Sequence, residues 1–154
     1  GMFKGGLAGD SETETKYHTA THLLNAALKI TVSEDVHQKG SNINNERMRF
    51  DFSCDHKLTP EEIKNIEDLV NKWIKEDLPV SVKEMTKEEA VKIGAEHMFI
   101  ERYPDVVTVY FVGDVSKEIC MGPHVKSTSE IGTFKIVKEE ASSAGVRRIK
   151  AIIE

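Results

Sequence analysis

The sequence is poor in cysteine: it has only Cys54 and Cys120 in 154 residues. Two cysteines are too few for the disulfide framework of a small secreted domain, so we expect both to be thiols. Apolar runs of membrane-spanning length are also missing. The first ten residues lack the basic and apolar regions of a secretion signal. We therefore expect a cytoplasmic protein that crosses no membrane.

A basic surplus is absent too, because 26 acidic residues outnumber 21 lysines and arginines and give a net charge of -5. This balance argues against indiscriminate nucleic-acid binding, which is typical of basic domains. The last fifth of the chain is the exception, since it holds a local basic cluster of Lys135, Lys138, Arg147, Arg148 and Lys150. The cluster is a candidate contact surface for a nucleic acid.

The periodicity of apolar residues predicts an α+β fold in which an antiparallel sheet packs with a few helices. Gly1 ahead of Met2 is interpreted as a tag remnant, residues 1–12 as a flexible lead-in, and residues 13–154 as one domain. Helices are predicted over 15–31, from the cap at Thr59 and Pro60, and after Thr86. Strands are predicted in a hairpin around 44–45, in "VSVKEM", in a buried "VVTVYFVG", and in two closing strands.

Two histidines lie four residues apart near the start of the first predicted helix. His18 and His22 project from the same side of that helix, one turn apart, and can reach one metal ion. The alternative is a pair of partly exposed histidines with no ligand. A zinc peptidase is excluded, because Thr19 stands where such an enzyme has its glutamate base.

A second pair, Cys120 and His124, has the same spacing around Gly122 and Pro123. A turn there lets both side chains face one point, and thiolate and imidazole are preferred zinc ligands. The two pairs together make a candidate zinc site. The alternatives are a buried apolar cysteine and a hydrogen-bonded loop histidine. Cys54 and His56 flank Asp55, where a strand exit with a buried thiol is favoured over a metal site. No aspartate or glutamate is identified as a general base.

Three separated stretches of the sequence resemble the editing domain of alanyl-tRNA synthetase. They are "HTATHLLNAALK", "HQKGSNINNERMRFDFS" and "CMGPHVKSTSEIGTFKIVKEEASSAGVRRIKAI". The three stretches occur in the same order as in that domain, from about residue 14 to 153. The superfamily also includes the editing domain of threonyl-tRNA synthetase. The resemblance implies a compact α+β editing domain over 13–154. It also implies a free-standing protein, since 154 residues leave no room for an aminoacylation domain.

The resemblance implies trans-editing, in which a hydrolase removes serine or glycine from mischarged alanine tRNA without ATP. Such a step is needed because an apolar site rejects a hydroxyl-bearing isostere only weakly. The implied zinc ligands are His18, His22, Cys120 and His124. Gln38 matches a glutamine of the editing pocket, and Arg147 and Arg148 match a basic segment placed near tRNA. Mischarged tRNA is the expected partner, and no protein partner is predicted.

The loop between Cys120 and His124 departs from the alanyl pattern. That pattern reads Cys-Gly-Gly-Thr-His, whereas this chain has Cys-Met-Gly-Pro-His, which is more similar to the threonyl branch. Removal of serine from threonine tRNA is therefore an alternative function. Two further alternatives are a non-catalytic, zinc-stabilised tRNA-binding module and a metal hydrolase acting on another ester. Four protein ligands are typical of a closed structural zinc, so catalysis needs an expanded coordination or one ligand that stays unbound.

Overall fold

A computed structural model describes residues 11–154. Residues 1–10, most of the predicted lead-in, lie outside the described residues. The helices are α1 (Glu12–Thr31), α2 (Pro60–Lys75) and α3 (Lys87–Lys92), with short 3-10 helices at Ile100–Arg102 and Thr128–Ile131. The strands are β1 (Gln38–Ile43), β2 (Met48–Ser53), β3 (Val80–Thr86), β4 (Val106–Val112), β5 (Ser116–Ile119), β6 (Phe134–Ser143) and β7 (Val146–Ile153).

The described strands form two antiparallel sheets, which confirms the predicted α+β class. One sheet has four strands in the order β1-β2-β7-β6, and the other has three in the order β3-β4-β5. The hairpin of β1 and β2 turns at residues 44–45, and β6 pairs with β7 across a turn at Gly145. Neighbouring strands in sequence are paired wherever the connection is short, as expected for antiparallel sheets.

Capping residues fix where the helices begin. Thr59 and Thr86 each form a capping box with the glutamate three residues later, and Pro60 occupies the first turn of α2. These two helix starts confirm the prediction. The first helix starts earlier than predicted, because the Ser11 side chain accepts a hydrogen bond from the Glu14 amide and caps α1. A cap of this kind stabilises a helix by about 1 kcal/mol.

The centre of the molecule is α1, which packs on α2 and also contacts strands of both sheets. Its apolar side chains join a core with the buried face of β2, formed by Met48, Phe50 and Phe52. Unusually, α1 also buries polar side chains, those of His18, Thr19, Thr21, His22 and Asn25. Burial of a polar group without a partner costs free energy. These side chains therefore indicate a candidate functional site.

Strand β4 was predicted to be buried, but the structure buries only some of its side chains. Val107 and Val109 are buried, whereas Val106 is 50% exposed. One face of the strand therefore packs inside and the other reaches solvent or a cavity. Strand β5 was not predicted, because its four residues, Ser-Lys-Glu-Ile, carry little apolar periodicity. Across residues 11–154, no helix has both the length and the apolar character needed to cross a membrane.

Candidate metal centre

The four predicted ligands come together between α1 and the loop that follows β5. The Cys120 Sγ lies 3.2 Å from the His18 Nε2 and 3.5 Å from the His124 Nε2. One ligand atom from each of the four residues, His22 included, lies within 4.8 Å of the others. The two pairs, more than a hundred residues apart in sequence, therefore form one cluster.

Hydrogen bonds orient two of the imidazoles toward the centre of the cluster. The His18 Nδ1 lies 2.9 Å from the Pro123 carbonyl oxygen, which can only accept, so Nδ1 carries the proton. The His124 Nδ1 lies 2.9 Å from the Thr19 hydroxyl, which also accepts from the Val125 amide. Both rings can therefore present the lone pair of Nε2 to an ion. Metal-binding histidines are commonly held in this way by a second hydrogen bond.

The arrangement fits zinc. Bond lengths of about 2.3 Å to sulfur and about 2.0 Å to nitrogen place tetrahedral ligand atoms about 3.5 Å apart. The two measured sulfur–nitrogen distances, 3.2 and 3.5 Å, lie close to that value. The buried His22 Nδ1 has no hydrogen-bond partner among the described residues, which is unusual for a buried polar atom. The cluster can thus hold a metal ion, and its ligand types favour zinc.

The alternative of two partly exposed helix histidines is wrong, because His18 and His22 are 1% and 3% exposed. Burial lowers the pKa of His18 to about 4, although the Pro123 hydrogen bond opposes the shift. Burial also lowers the pKa of His22 and of His124 well below the usual range. In contrast, burial raises the pKa of the Cys120 thiol to about 12. At neutral pH the empty cluster therefore holds neutral imidazoles and a protonated thiol.

These protonation states predict how many protons leave when zinc binds. At pH 7.5 we expect about one proton per ion, from Cys120, because the three imidazoles are already neutral. Isothermal titration calorimetry in buffers of different ionisation enthalpy measures this number. Release of about four protons would instead mean that all three histidines are charged before the metal arrives.

A cavity of about 430 Å³ adjoins the cluster. His18, His22 and Cys120 line it, whereas His124 is not among its lining residues. Three ligands therefore face the cavity, so one side of the cluster is accessible to a small molecule. Gln38, at the start of β1, lines the same cavity. The structure thus brings Gln38 together with the four predicted ligands.

Glu118, a buried carboxyl group in the cavity wall, was not predicted from the sequence as a site residue. Its Oε1 lies 3.7 Å from the His22 Nε2, and Asn25 donates a hydrogen bond to it. Burial, and secondly the nearby Glu96, raise the pKa of Glu118 to about 8. At neutral pH it is therefore mainly protonated and can donate a hydrogen bond. The sequence did contain a signal for this residue, because Glu118 lies two residues before Cys120. Residues two apart on a strand share a face.

The predicted tRNA contacts Arg147 and Arg148 do not line this cavity. Arg147 donates two hydrogen bonds to Glu139, at 2.9 and 2.7 Å, and Arg148 donates two to Asp51, at 2.8 and 3.1 Å. Both guanidinium groups therefore have partners within the chain. Their role in tRNA binding stays a prediction.

Replacing one of these arginines by alanine tests how much its ion pair contributes to the stability of the fold. The Glu139 side chain is only 2% exposed and also accepts from the Leu58 amide. We expect Arg147→Ala to lower the free energy of unfolding by about 2 kcal/mol, because it leaves a buried carboxylate unpaired. Arg148→Ala should have a smaller effect, since Asp51 is more exposed at 20%. Urea unfolding measures both changes, and an equal loss in the two variants would contradict this ranking.

A second, weaker group consists of Cys54, Asp55 and His56. The predicted burial of the Cys54 thiol is wrong, because this residue is only partly buried. Carboxylates already occupy both nitrogens of His56: Asp55 lies 2.7 Å from Nδ1 and Glu62 lies 3.0 Å from Nε2. Hydrogen bonds that His56 donates to these two carboxylates raise the pKa of His56. Both ring nitrogens of His56 therefore already have carboxylate partners, unlike the histidines of the cluster beside α1.

Comparison with known proteins agrees with this fold. Residues 107–150 match the family described as the threonyl and alanyl tRNA synthetase second additional domain. The chain is also 56% identical over 153 residues to an alanine–tRNA ligase of Treponema denticola, covering 99% of this chain and 26% of the relative. An alanine–tRNA ligase of Thermotoga maritima is 52% identical over 141 residues, covering 92% of this chain and 16% of the relative.

Nearly the whole chain is therefore homologous to one part of alanine–tRNA ligases. It spans about a quarter of the length of the Treponema denticola relative and about a sixth of the Thermotoga maritima relative. The matched family segment includes Glu118, Cys120 and His124, and also Arg147 and Arg148.

Proposed function

We propose that this domain hydrolyses the ester of mischarged alanine tRNA, seryl-tRNA(Ala) first and glycyl-tRNA(Ala) second, and that it does so in trans. The observation that supports this proposal is the cluster of four ligands at the wall of a cavity that also contains Gln38. Homology to alanine–tRNA ligases supports the choice of tRNA. Because the substrate arises during translation, we place the reaction in the cytoplasm.

The cavity suits an aminoacyl group in size and polarity. Its volume of about 430 Å³ lies within the usual range for small-molecule sites. Its lining combines the polar side chains of Asn25, Gln38 and Glu118 with apolar residues such as Val107 and Ile119. A serine hydroxyl or amino group needs polar partners of this kind, since a buried polar group left unpaired costs about 1–3 kcal/mol.

In the proposed reaction, water attacks the ester carbonyl and the tRNA hydroxyl leaves. His18, His22, Cys120 and His124 would hold zinc, which would supply Lewis-acid chemistry at the site. The Gln38 carboxamide has both donors and an acceptor, so it can orient the water or the developing oxyanion. Protonated Glu118 is a second donor beside the ligands. Because an aminoacyl ester is activated, positioning of this kind can suffice without a dedicated general base.

The departure from the alanyl loop pattern bears on the cavity rather than on the ligands. Pro123 orients His18 through its carbonyl oxygen, a group that every residue possesses. Met121, by contrast, lines the cavity with its side chain 42% exposed. Activity on seryl-tRNA(Thr) is therefore the second candidate. The position of the ligands at a cavity argues against a purely structural zinc in a non-catalytic module.

The test is deacylation by the purified chain without ATP. Seryl-tRNA(Ala), glycyl-tRNA(Ala) and seryl-tRNA(Thr) are compared, with correctly charged alanyl-tRNA(Ala) as the control. We expect the fastest cleavage of seryl-tRNA(Ala), loss of activity with a chelator, and recovery with zinc. Preference for seryl-tRNA(Thr) would support the second candidate. Absence of cleavage of every substrate by the zinc-loaded chain would refute the hydrolase.

A further inference from the structure

An apolar rim surrounds the mouth of the cavity. Phe99, Val106 and Met121 line it while remaining 48%, 50% and 42% exposed. Phe99 lies just before the 3-10 helix at Ile100–Arg102, Val106 begins β4, and Met121 follows the ligand Cys120. Exposed apolar side chains scattered singly are ordinary, but three gathered at one opening indicate a contact surface.

A cation is stacked on the aromatic member of this rim. The guanidinium carbon of Arg102 lies 4.7 Å from the centroid of the Phe99 ring, within the range of a cation–π contact. Arg102 also lines the cavity. No carboxylate in residues 11–154 forms an ion pair with it, in contrast to Arg147 and Arg148. The cavity lining thus combines a flat, partly exposed ring with a guanidinium group that forms no ion pair among residues 11–154.

We propose that Phe99 and Arg102 form a stacking site for the base of the terminal nucleoside of a tRNA. An unpaired base recognised by a protein commonly stacks on an aromatic ring or a guanidinium plane, and a cation beside the ring attracts the phosphate. This inference rests on the proposed function. An ester held beside His18 and Cys120 is joined to the terminal ribose, so the attached base has to lie at the opening of the cavity.

Two other features favour a nucleic acid over a protein segment as the occupant. The rim is narrow, with three apolar side chains rather than an extended groove. Arg102 places a guanidinium group at this rim, stacked on Phe99. A guanidinium group beside an aromatic ring matches the chemistry of a nucleotide, with its flat base and anionic phosphate.

The first experiment compares two substrates that differ in whether they carry a base. The wild type and Phe99→Ala are assayed on seryl-tRNA(Ala) and on serine ethyl ester, which has no nucleoside. We expect Phe99→Ala to reduce kcat/KM for the tRNA by about 10- to 100-fold, a much larger loss than for the small ester. Phe99→Trp should retain activity on tRNA, whereas Phe99→Leu, apolar but without a π face, should not. Val82→Ala, an exposed apolar residue outside the cavity, is the matched control.

A binding measurement separates this inference from the hydrolase proposal. A fluorescent single-stranded RNA with an unpaired 3′ adenosine is titrated against the same variants. Weaker binding by Phe99→Ala and Arg102→Gln, with a smaller salt dependence for Arg102→Gln, is expected even if no ester is cleaved. Equal binding by the wild type and Phe99→Ala, or an equal loss of activity on both substrates, would overturn the stacking site. Thermal unfolding of each variant checks that the fold is intact.

Discussion

Replacing Cys120 by alanine is expected to release the metal and to reduce deacylation of seryl-tRNA(Ala) together. Cys120 supplies the one sulfur ligand of the cluster, 3.2 Å from the His18 Nε2. Even residues that only support metal ligands change affinity or activity by about 10- to 100-fold, so loss of a ligand should exceed about 100-fold. Zinc content after gel filtration and single-turnover deacylation measure the two effects.

The second cysteine gives a matched control for this experiment. Cys54→Ala makes the same chemical change in the group with Asp55 and His56, outside the cavity that adjoins the metal cluster. We expect full zinc content and activity in that variant. If Cys120→Ala keeps both its zinc and its rate, the ligand assignment is wrong. If it loses zinc but keeps its rate, the metal supports the structure and the proposed chemistry does not use it.

The second large effect is expected at Gly122, inside the loop that joins Cys120 and His124. Its φ of +73° is in the left-handed region, and an added Cβ would lie 2.5 Å from the Tyr110 hydroxyl oxygen. The Tyr110 ring packs on His124 with 4.5 Å between ring centroids. Gly122→Ala must therefore move the tyrosine or the loop, and with either a ligand of the cluster. We expect a loss of about 2–4 kcal/mol in unfolding free energy and weaker zinc binding.

Gly145 provides the comparison, because it has nearly the same φ, +72°, with nothing within 4 Å of an added Cβ. Gly145→Ala should lose only about 1–2 kcal/mol from backbone strain, with zinc binding unchanged. Since the nearest atom to the new Cβ is the hydroxyl oxygen, Tyr110→Phe should partly restore Gly122→Ala. Thermal unfolding and zinc titration measure these variants. Similar losses at the two glycines would show that strain alone, rather than the clash with Tyr110, governs Gly122.

Local features of this fold could be read from the sequence. The caps at Thr59 and Thr86 and the hairpin turn at residues 44–45 depend on neighbouring residues, and each is found as predicted. The same holds within each ligand pair, since spacings of four residues place His18 with His22 and Cys120 with His124. The resemblance of three separate motifs to one family then indicated that the two pairs belong to a single site.

Other features depend on contacts between distant segments. The division into two sheets follows from which strand faces pack on α1, and short periodic patterns do not contain that information. The charges of Arg147 and Arg148 suggested a free basic surface, but strand pairing places Glu139 and Asp51 beside them. Burial of Glu118 next to His22 likewise requires the approach of β5 to α1.

Local sequence was enough to predict the starts of α2 and α3, the strand hairpins and the two pairs of candidate metal ligands, because hydrogen bonding and side-chain period act over a few residues. Tertiary packing was needed to show that His18, His22 and Cys120 face a cavity that His124 does not line. It also decided that Phe99 and Arg102 lie at the mouth of that cavity. These positions result from packing among segments far apart in the chain, where burial of apolar surface selects one arrangement of the elements.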